Sequence, residues 1–155
     1  MPGSRFEQEE VGKMPERNGS AEWRGDLKAG SGSLVVGDGV FAGAYSFASR
    51  FEEGPGTNPE ELIAAAHAAC FSMAFANILS QAGHTPDRIS TAARVTLRNI
   101  DGAPTLARVD LETTGQVPGL DQEQFQGYAD QAVKDCPVSR ALAGIPEMVV
   151  TARLG

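Results

Sequence analysis

A chain of 155 residues with 41% hydrophobic and 21% charged residues is one soluble domain's worth of protein, with enough apolar material for a core. A net charge of −7 without any basic cluster argues against nucleic acid and anionic membrane surfaces as partners. The two cysteines, Cys70 and Cys136, lie too far apart for a zinc-ligand pair or a C-x-x-C motif, and two cannot make a disulfide framework.

The opening stretch, MPGSRFEQEEVGK, is polar and charged, with no apolar segment of a secretion signal. A cytoplasmic protein is expected, in which a two-cysteine disulfide is more often transient than structural. Residues 1–20 lack periodicity and read as a flexible N-terminal arm or an upstream extension, with the domain proper over 21–155. From Ala21, the segments AEWRGDLKAG, GSLVVGDGV and FAGAYSFASRF read as short strands between glycine-containing turns, an antiparallel meander that places Arg50 at a strand end. These glycines fit no phosphate-binding frame.

A helix should begin at Asn58. Asparagine suits the N-cap, Pro59 the first helical position, and Glu61 the third position of a capping box. Gly83 supplies a stop. The run Leu62–Leu79 approaches bilayer-spanning length, but it contains His67, Ser72 and Asn77 and much alanine, which favours a close-packed core helix. Being apolar on nearly every side, this helix should be covered on nearly every side, by a sheet and another helix, with a partner subunit as a candidate. Two alternating strands follow, with Ala93, Val95 and Leu97 on one face of the first and Ala107, Val109 and Leu111 on one face of the second, around a DGAP turn. Asp121 and Gln124 make a second capping box. Phe125, Tyr128, Ala129, Ala132, Val133 and Cys136 then recur at helical spacing, before Pro137 ends that helix and opens a short one. MVVTARL closes the chain as a strand. The sum is an α+β domain with a mainly antiparallel sheet.

Several residues could carry chemistry. Cys136 near a helix start meets unpaired N–H groups that favour a thiolate, although on spacing alone a buried structural cysteine is the simpler reading. Cys70, in mid-helix, has no such help and would need a cation, for which Arg50 is one candidate. His67 stands three residues before Cys70 on the same face, which permits a Cys–His pair, although a satisfied core histidine is the simpler reading. A metal site lacks ligands. Glu60 suits the first helical turn, and ten residues of helix put it about 15 Å from Cys70 along one axis.

The stretch RFEEGPGTNPEELIAAAHAACFSMA, followed at a distance by CPVSRAL, resembles the OsmC family, the osmotically inducible protein C group related to organic hydroperoxide resistance proteins. The likeness runs from about Ala21 to the C-terminus, and the AAAHAACFSMA wording is similar to the OsmC branch. The resemblance implies a thiol-dependent peroxidase, built as an intertwined homodimer with a sheet wrapped around two central helices. It implies Cys70 as the peroxidatic cysteine, Cys136 as its resolving partner, Arg50 as the activating cation and Glu60 as the carboxylate that orients it. It implies no cofactor or metal. Its partners would be an organic hydroperoxide, a dithiol reductant of the lipoyl-protein class and a second copy of the chain, with neither nucleic acid nor membrane. A cysteine hydrolase using Cys70 and His67, and a non-catalytic redox sensor, stay open as alternatives.

Overall fold

The computed structural model describes residues 14–155. The arm expected over residues 1–20 lies largely outside them, and the first strand opens at Gly19. The described residues form two compact units, 14–57 and 58–155.

The first unit is the expected meander, β1 (Gly19–Arg24), β2 (Ser31–Val36) and β3 (Phe41–Tyr45), antiparallel throughout. Gly32 pairs with Trp23 on one side and Tyr45 on the other. Those two rings approach to 5.4 Å, and a Cβ on Gly32 would fall 2.5 Å from the Tyr45 ring, so only glycine lets them meet. The strand expected through FAGAYSFASRF stops at Tyr45. Phe47–Phe51 is instead a short helix, α1, and it carries Arg50. The cause is local: the Ser46 hydroxyl accepts the Ser49 N–H at 3.0 Å while the Ser46 N–H donates to the Ser49 hydroxyl oxygen at 2.8 Å. This reciprocal cap starts a helix that alternation alone does not reveal.

The second unit holds α2 (Pro59–Gln81), β4 (Arg88–Ile100), β5 (Ala103–Gln116), α3 (Gln122–Asp135), α4 (Pro137–Ala141) and β6 (Glu147–Leu154). Helix α2 starts as its sequence dictates, with the Asn58 side chain accepting the Glu61 N–H at 2.8 Å and Pro59 in the first turn. It ends on Gly83 at φ +87°, where the His84 N–H reaches back to the Leu79 carbonyl at 2.8 Å. Strands β4 and β5 form a hairpin around Asp101 and Gly102, both at positive φ. This turn is two residues shorter than DGAP suggests, because Ala103 and Pro104 already belong to β5. Strand β6 returns parallel to β5, giving the order β4-β5-β6, with three of the four strand pairings among the described residues antiparallel.

One apolar core joins these elements. Phe71, Phe75 and Leu79 of α2, Val109 and Leu111 of β5, and Phe125, Ala129 and Ala132 of α3 are all fully buried. Phe75 and Phe125 rings stand 4.9 Å apart at its centre. Hydroxyls tie α2 to the sheet: Ser72 donates to Thr91 at 2.8 Å, and Thr91 to the buried Thr113 at 3.0 Å. At the β6 edge, two glutamines of α3 complete the strand's backbone hydrogen bonds. Gln126 accepts the Ala152 N–H at 2.8 Å, and Gln122 accepts the Leu154 N–H at 3.0 Å while donating to the Ala152 carbonyl at 2.7 Å. Burial thus fixes the rotation of α3 and the glutamines fix its height, which together determine where its last residue, beside Cys136, arrives.

Among the described residues of the second unit, α2 is not covered on nearly every side. One sheet and two helices can touch only one side of a cylinder, and the buried stripe is His67, Phe71, Phe75, Ile78 and Leu79. Met73, on the other side, is 76% exposed. The helix is long and apolar enough by composition to cross a membrane, but its aromatic stripe is spent in this core.

Candidate active site

Two elements bring the cysteines together. Cys70 sits midway along α2, half-buried, against the core cluster. Cys136 sits between α3 and α4 and is fully buried. It terminates one helix, its N–H donating to the Ala132 carbonyl at 2.8 Å, and it is the N-cap of the next, ahead of Pro137. Sequence spacing foretells that double position. That the junction would lie against the middle of α2, so that each sulfur acts on the other, follows from packing alone.

The two thiols differ in electrostatics. Burial pushes the Cys70 thiol above its ordinary value, a nearby Val138 N–H partly offsets this, and Cys136 adds to the rise. Burial also acts against ionisation of Cys136. There it is outweighed by the Ser139 hydroxyl and N–H, the Cys70 thiol and the Val138 N–H, so this thiol falls below the ordinary range. The N–H groups act without the geometry of a cap hydrogen bond. Of the reduced pair, Cys136 is therefore the sulfur that gives up its proton more readily, and Cys70 the one that holds it longer.

Access runs the opposite way. Cys70 lines a recess of about 540 Å³ with Met73, Ala74, Asn77, Ile78 and Gln81 of α2, Asp135 of α3 and Pro137 of α4. Most of this wall is apolar, two amides and the Asp135 carboxylate add polar groups to it, and its size suits a small organic molecule. Phe71 and Phe75 do not take part, since both point into the core.

His67 is a buried core histidine, as its simpler reading holds, and its burial lowers its pKa and keeps it neutral. Its Nε2 lies 2.6 Å from the Ser139 hydroxyl oxygen, and its Nδ1 is buried without a hydrogen-bond partner among the described residues. Among the described residues His67 makes no hydrogen bond to Cys70. Ser139 is the residue that sequence reasoning passed over. Its signal was the C-P-V-S spacing, which puts a hydroxyl one helical turn after Cys136. Glu60 stands in the first turn of α2, about 15 Å along the axis from Cys70 at 1.5 Å per residue. Arg50 belongs to the first unit, where its guanidinium carbon lies 5.2 Å from the Phe51 ring centroid. Among the described residues no group of three or more His, Cys, Asp or Glu side chains is arranged to hold a metal ion.

Comparison with known proteins gives this pair a setting. Peroxiredoxin OsmC of Escherichia coli strain K12 is 45% identical over 127 residues, which cover 81% of this chain and 89% of that protein. An organic hydroperoxide resistance protein of Xanthomonas axonopodis pv. citri is 34% identical over 99 residues, covering 63% of this chain and 68% of its own length. Among solved structures, the organic hydroperoxide resistance protein OhrB of Bacillus subtilis superposes with a TM-score of 0.67 at 27% identity, over 89% of this chain and 98% of that one. A structure from Legionella pneumophila described as an organic hydroperoxide resistance protein OsmC gives 0.66 at 25% identity, over 89% and 96%. These names support a peroxidase-type role. The model of the OsmC-like proteins matches residues 52–151, a span that takes in α2, both cysteines and most of β6. With that match added to the shared fold, the chain belongs to the OsmC-like protein family.

Proposed function

We propose that this protein is a thiol peroxidase that reduces organic hydroperoxides to alcohols, with Cys70 as the attacking sulfur and Cys136 as the resolving one. The observation that carries the reading is the pairing of an accessible thiol on an apolar recess with a fully buried thiol that acts on it directly. Only Cys70 can meet a peroxide without the core opening. Its thiolate attacks the terminal peroxide oxygen, an S–O bond forms as the O–O bond breaks, and the alkoxide leaves as alcohol after taking a proton. Cys136 thiolate then attacks the Cys70 sulfur of the sulfenic acid. An S–S bond forms, the S–O bond breaks, and the oxygen leaves as hydroxide, which becomes water on taking up the proton that Cys136 released. An external dithiol, of the lipoyl-protein class, restores both thiols by exchange. A cytoplasmic setting accords with two cysteines that are free between turnovers.

The first step needs charge on Cys70, whereas of the two thiols Cys136 is the more readily ionised. A cation must therefore join the site, and we assign that role to Arg50, with Glu60 to orient it. An ordinary thiol is only about 3% ionised at pH 7, so ionisation alone gains at most roughly 30-fold. The larger share comes from orienting the peroxide and stabilising charge on the breaking O–O bond, which a guanidinium does with paired donors. Since Glu60 stands a long way up its own helix from Cys70, the site is assigned to a homodimer in which antiparallel copies of α2 bring one chain's helix start towards the other's middle. The uncovered side of α2, with Met73 exposed, is the face available for this.

Peroxide consumption with a dithiol as reductant, run beside ester hydrolysis, tests the reading. Turnover of cumene hydroperoxide well above that of hydrogen peroxide, with no ester cleavage, is expected. The recess rewards a hydrocarbon tail by about 25 cal/mol per Å² removed from water, and hydrogen peroxide has none. Equal efficiency with both, or an acyl-enzyme on Cys70, would overturn it. For the dimer, Cys70→Ser chains refolded with Glu60→Ala chains should recover activity from two inactive parents. Heterodimers that stay inactive would place the whole site in one chain.

A further inference from the structure

We propose that His67 and Ser139 are positioning residues for the resolving step: a buried relay in which the His67 ring holds the Ser139 hydroxyl so that its proton points at Cys136. The inference rests on the peroxidase reading for its role in turnover but not for its chemistry, and the experiment keeps the two apart.

The geometry is a doubled tie between the same two elements. His67 precedes Cys70 by three residues on α2, and Ser139 follows Cys136 by three on α4, so each partner stands one turn from its cysteine. The cysteines meet at one rung, and His67 and Ser139 meet at the other through a 2.6 Å hydrogen bond. His67 and Cys136 are 0% exposed and Ser139 4%, so water cannot substitute for any of the three.

The direction of the hydrogen bonds follows from counting donors. If the ring carried its proton on Nδ1, that N–H would be buried without an acceptor, since Nδ1 has no partner. Nε2 would then accept the serine proton, and nothing would be left to donate to sulfur. If the proton is on Nε2, the ring donates to the serine oxygen, the serine proton is free to point at the neighbouring sulfur, and every donor is used. Only a bare ring lone pair is left over, a smaller penalty than a buried unpaired N–H. Burial keeps the ring neutral, so it serves as a fixed dipole and not as a charge.

In turnover this arrangement matters after Cys70 has become a sulfenic acid. Cys136 must then attack as a thiolate, and its proton leaves with the departing hydroxide as water. A hydroxyl already aimed at sulfur favours that state before the attack begins. Other titratable groups around Cys136 are few. Cys70 faces it from α2, Lys134 and Asp135 of α3 and Arg140 of α4 are exposed, and the β5 and β6 residues of the surrounding core, Val109, Leu111 and Ala152, are apolar.

The chain has two cysteines, so Cys70→Ser leaves a single thiol whose ionisation is read directly by thiolate absorbance near 240 nm. In that background, Ser139→Ala should move the absorbance midpoint up by about one pH unit. His67→Phe should do the same, and His67→Gln, which keeps a donor, should bring the midpoint back. In the two-cysteine protein, one equivalent of cumene hydroperoxide with acid quenching and mass spectrometry should show Cys70 sulfenic acid forming at the parental rate in Ser139→Ala. Closure to the disulfide should be about tenfold slower. Ser139→Ala removes a single oxygen, and melting by circular dichroism identifies any variant that does not fold. Unmoved midpoints in folded Ser139→Ala and His67→Phe would overturn the relay. A moved midpoint with no sulfenic acid in the parent protein would instead overturn the peroxidase reading and leave the relay standing.

Discussion

Cys70 lies in the middle of a 23-residue helix whose N–H groups are spent on the helix itself, while Cys136 lies at the junction of two helices, near N–H groups that are still available. The first is half-exposed on an apolar recess and its thiol is raised by burial. The second is closed off from solvent and its thiol is lowered by the donors around it. Reach and ionisation are thus divided between two sulfurs. The lesson is that a buried, more acidic thiol beside an accessible one suits the second half of the two-step oxidation proposed above. On that proposal, the first half depends on whatever brings positive charge to Cys70.

The hardest blow to this division is removing one sulfur at a time. Cys70→Ser should abolish hydroperoxide turnover, by at least about 10³-fold, the scale on which a lost covalent nucleophile acts. Cys136→Ser should instead keep the first turnover and then stall, with sulfenic acid accumulating on Cys70, as mass spectrometry of the quenched protein would show. A Cys136→Ser protein that never oxidises Cys70 would exchange the two roles. In the parent protein, peroxide should give a Cys70–Cys136 disulfide within one chain, and only interchain links would count against the pairing.

A second intervention attacks the burial that keeps the sulfurs different. Phe75 is fully enclosed and rests on Phe125, in the same core cluster as Cys136. Phe75→Ala should cost about 3–5 kcal/mol of stability in urea unfolding. It should also speed alkylation of Cys136 far more than that of Cys70, since only the former depends on an intact core for its protection. Equal acceleration of both would mean that burial is not what separates them.

The mildest test is acid. His67 titrates near 6.5 in the unfolded chain and lower when folded, because burial disfavours its charged form. A depressed folded value contributes stability that is fully present above the unfolded pKa and is lost as pH falls towards the folded one. Melting temperature should therefore decline below about pH 6.5, and His67→Gln should flatten that slope. A slope unchanged by the substitution would assign it to carboxylates and leave the His67 contact without a pH signature.

Local chemistry made much of this molecule legible. Asn58, Pro59 and Gly83 delimit α2 because they act on backbone groups within a few residues of themselves. The alternation of Ala107, Val109 and Leu111 gives β5 its buried face, and Pro137 after Cys136 marks the helix junction. Where a local signal was ambiguous the reading slipped. The segment after Tyr45 looks like a continuing strand by its apolar residues, yet two serines three positions apart turn it into α1 and carry Arg50 into a helix.

By itself, then, the sequence determined where α2 and α3 begin, which faces of β4 and β5 are apolar, and that Cys136 sits at a helix start. It carried the likeness to the OsmC family as well, because those properties and that likeness reside in residues close together along the chain. Tertiary structure alone decided that the α3–α4 junction packs against mid-α2, that His67 turns to Ser139 and not to Cys70, and that burial raises the Cys70 thiol. Each of these depends on groups distant in sequence sharing one low-dielectric interior, where the exclusion of water disfavours charge. The fall at Cys136 is different, since most of its donors, Ser139 and Val138, follow it within three residues.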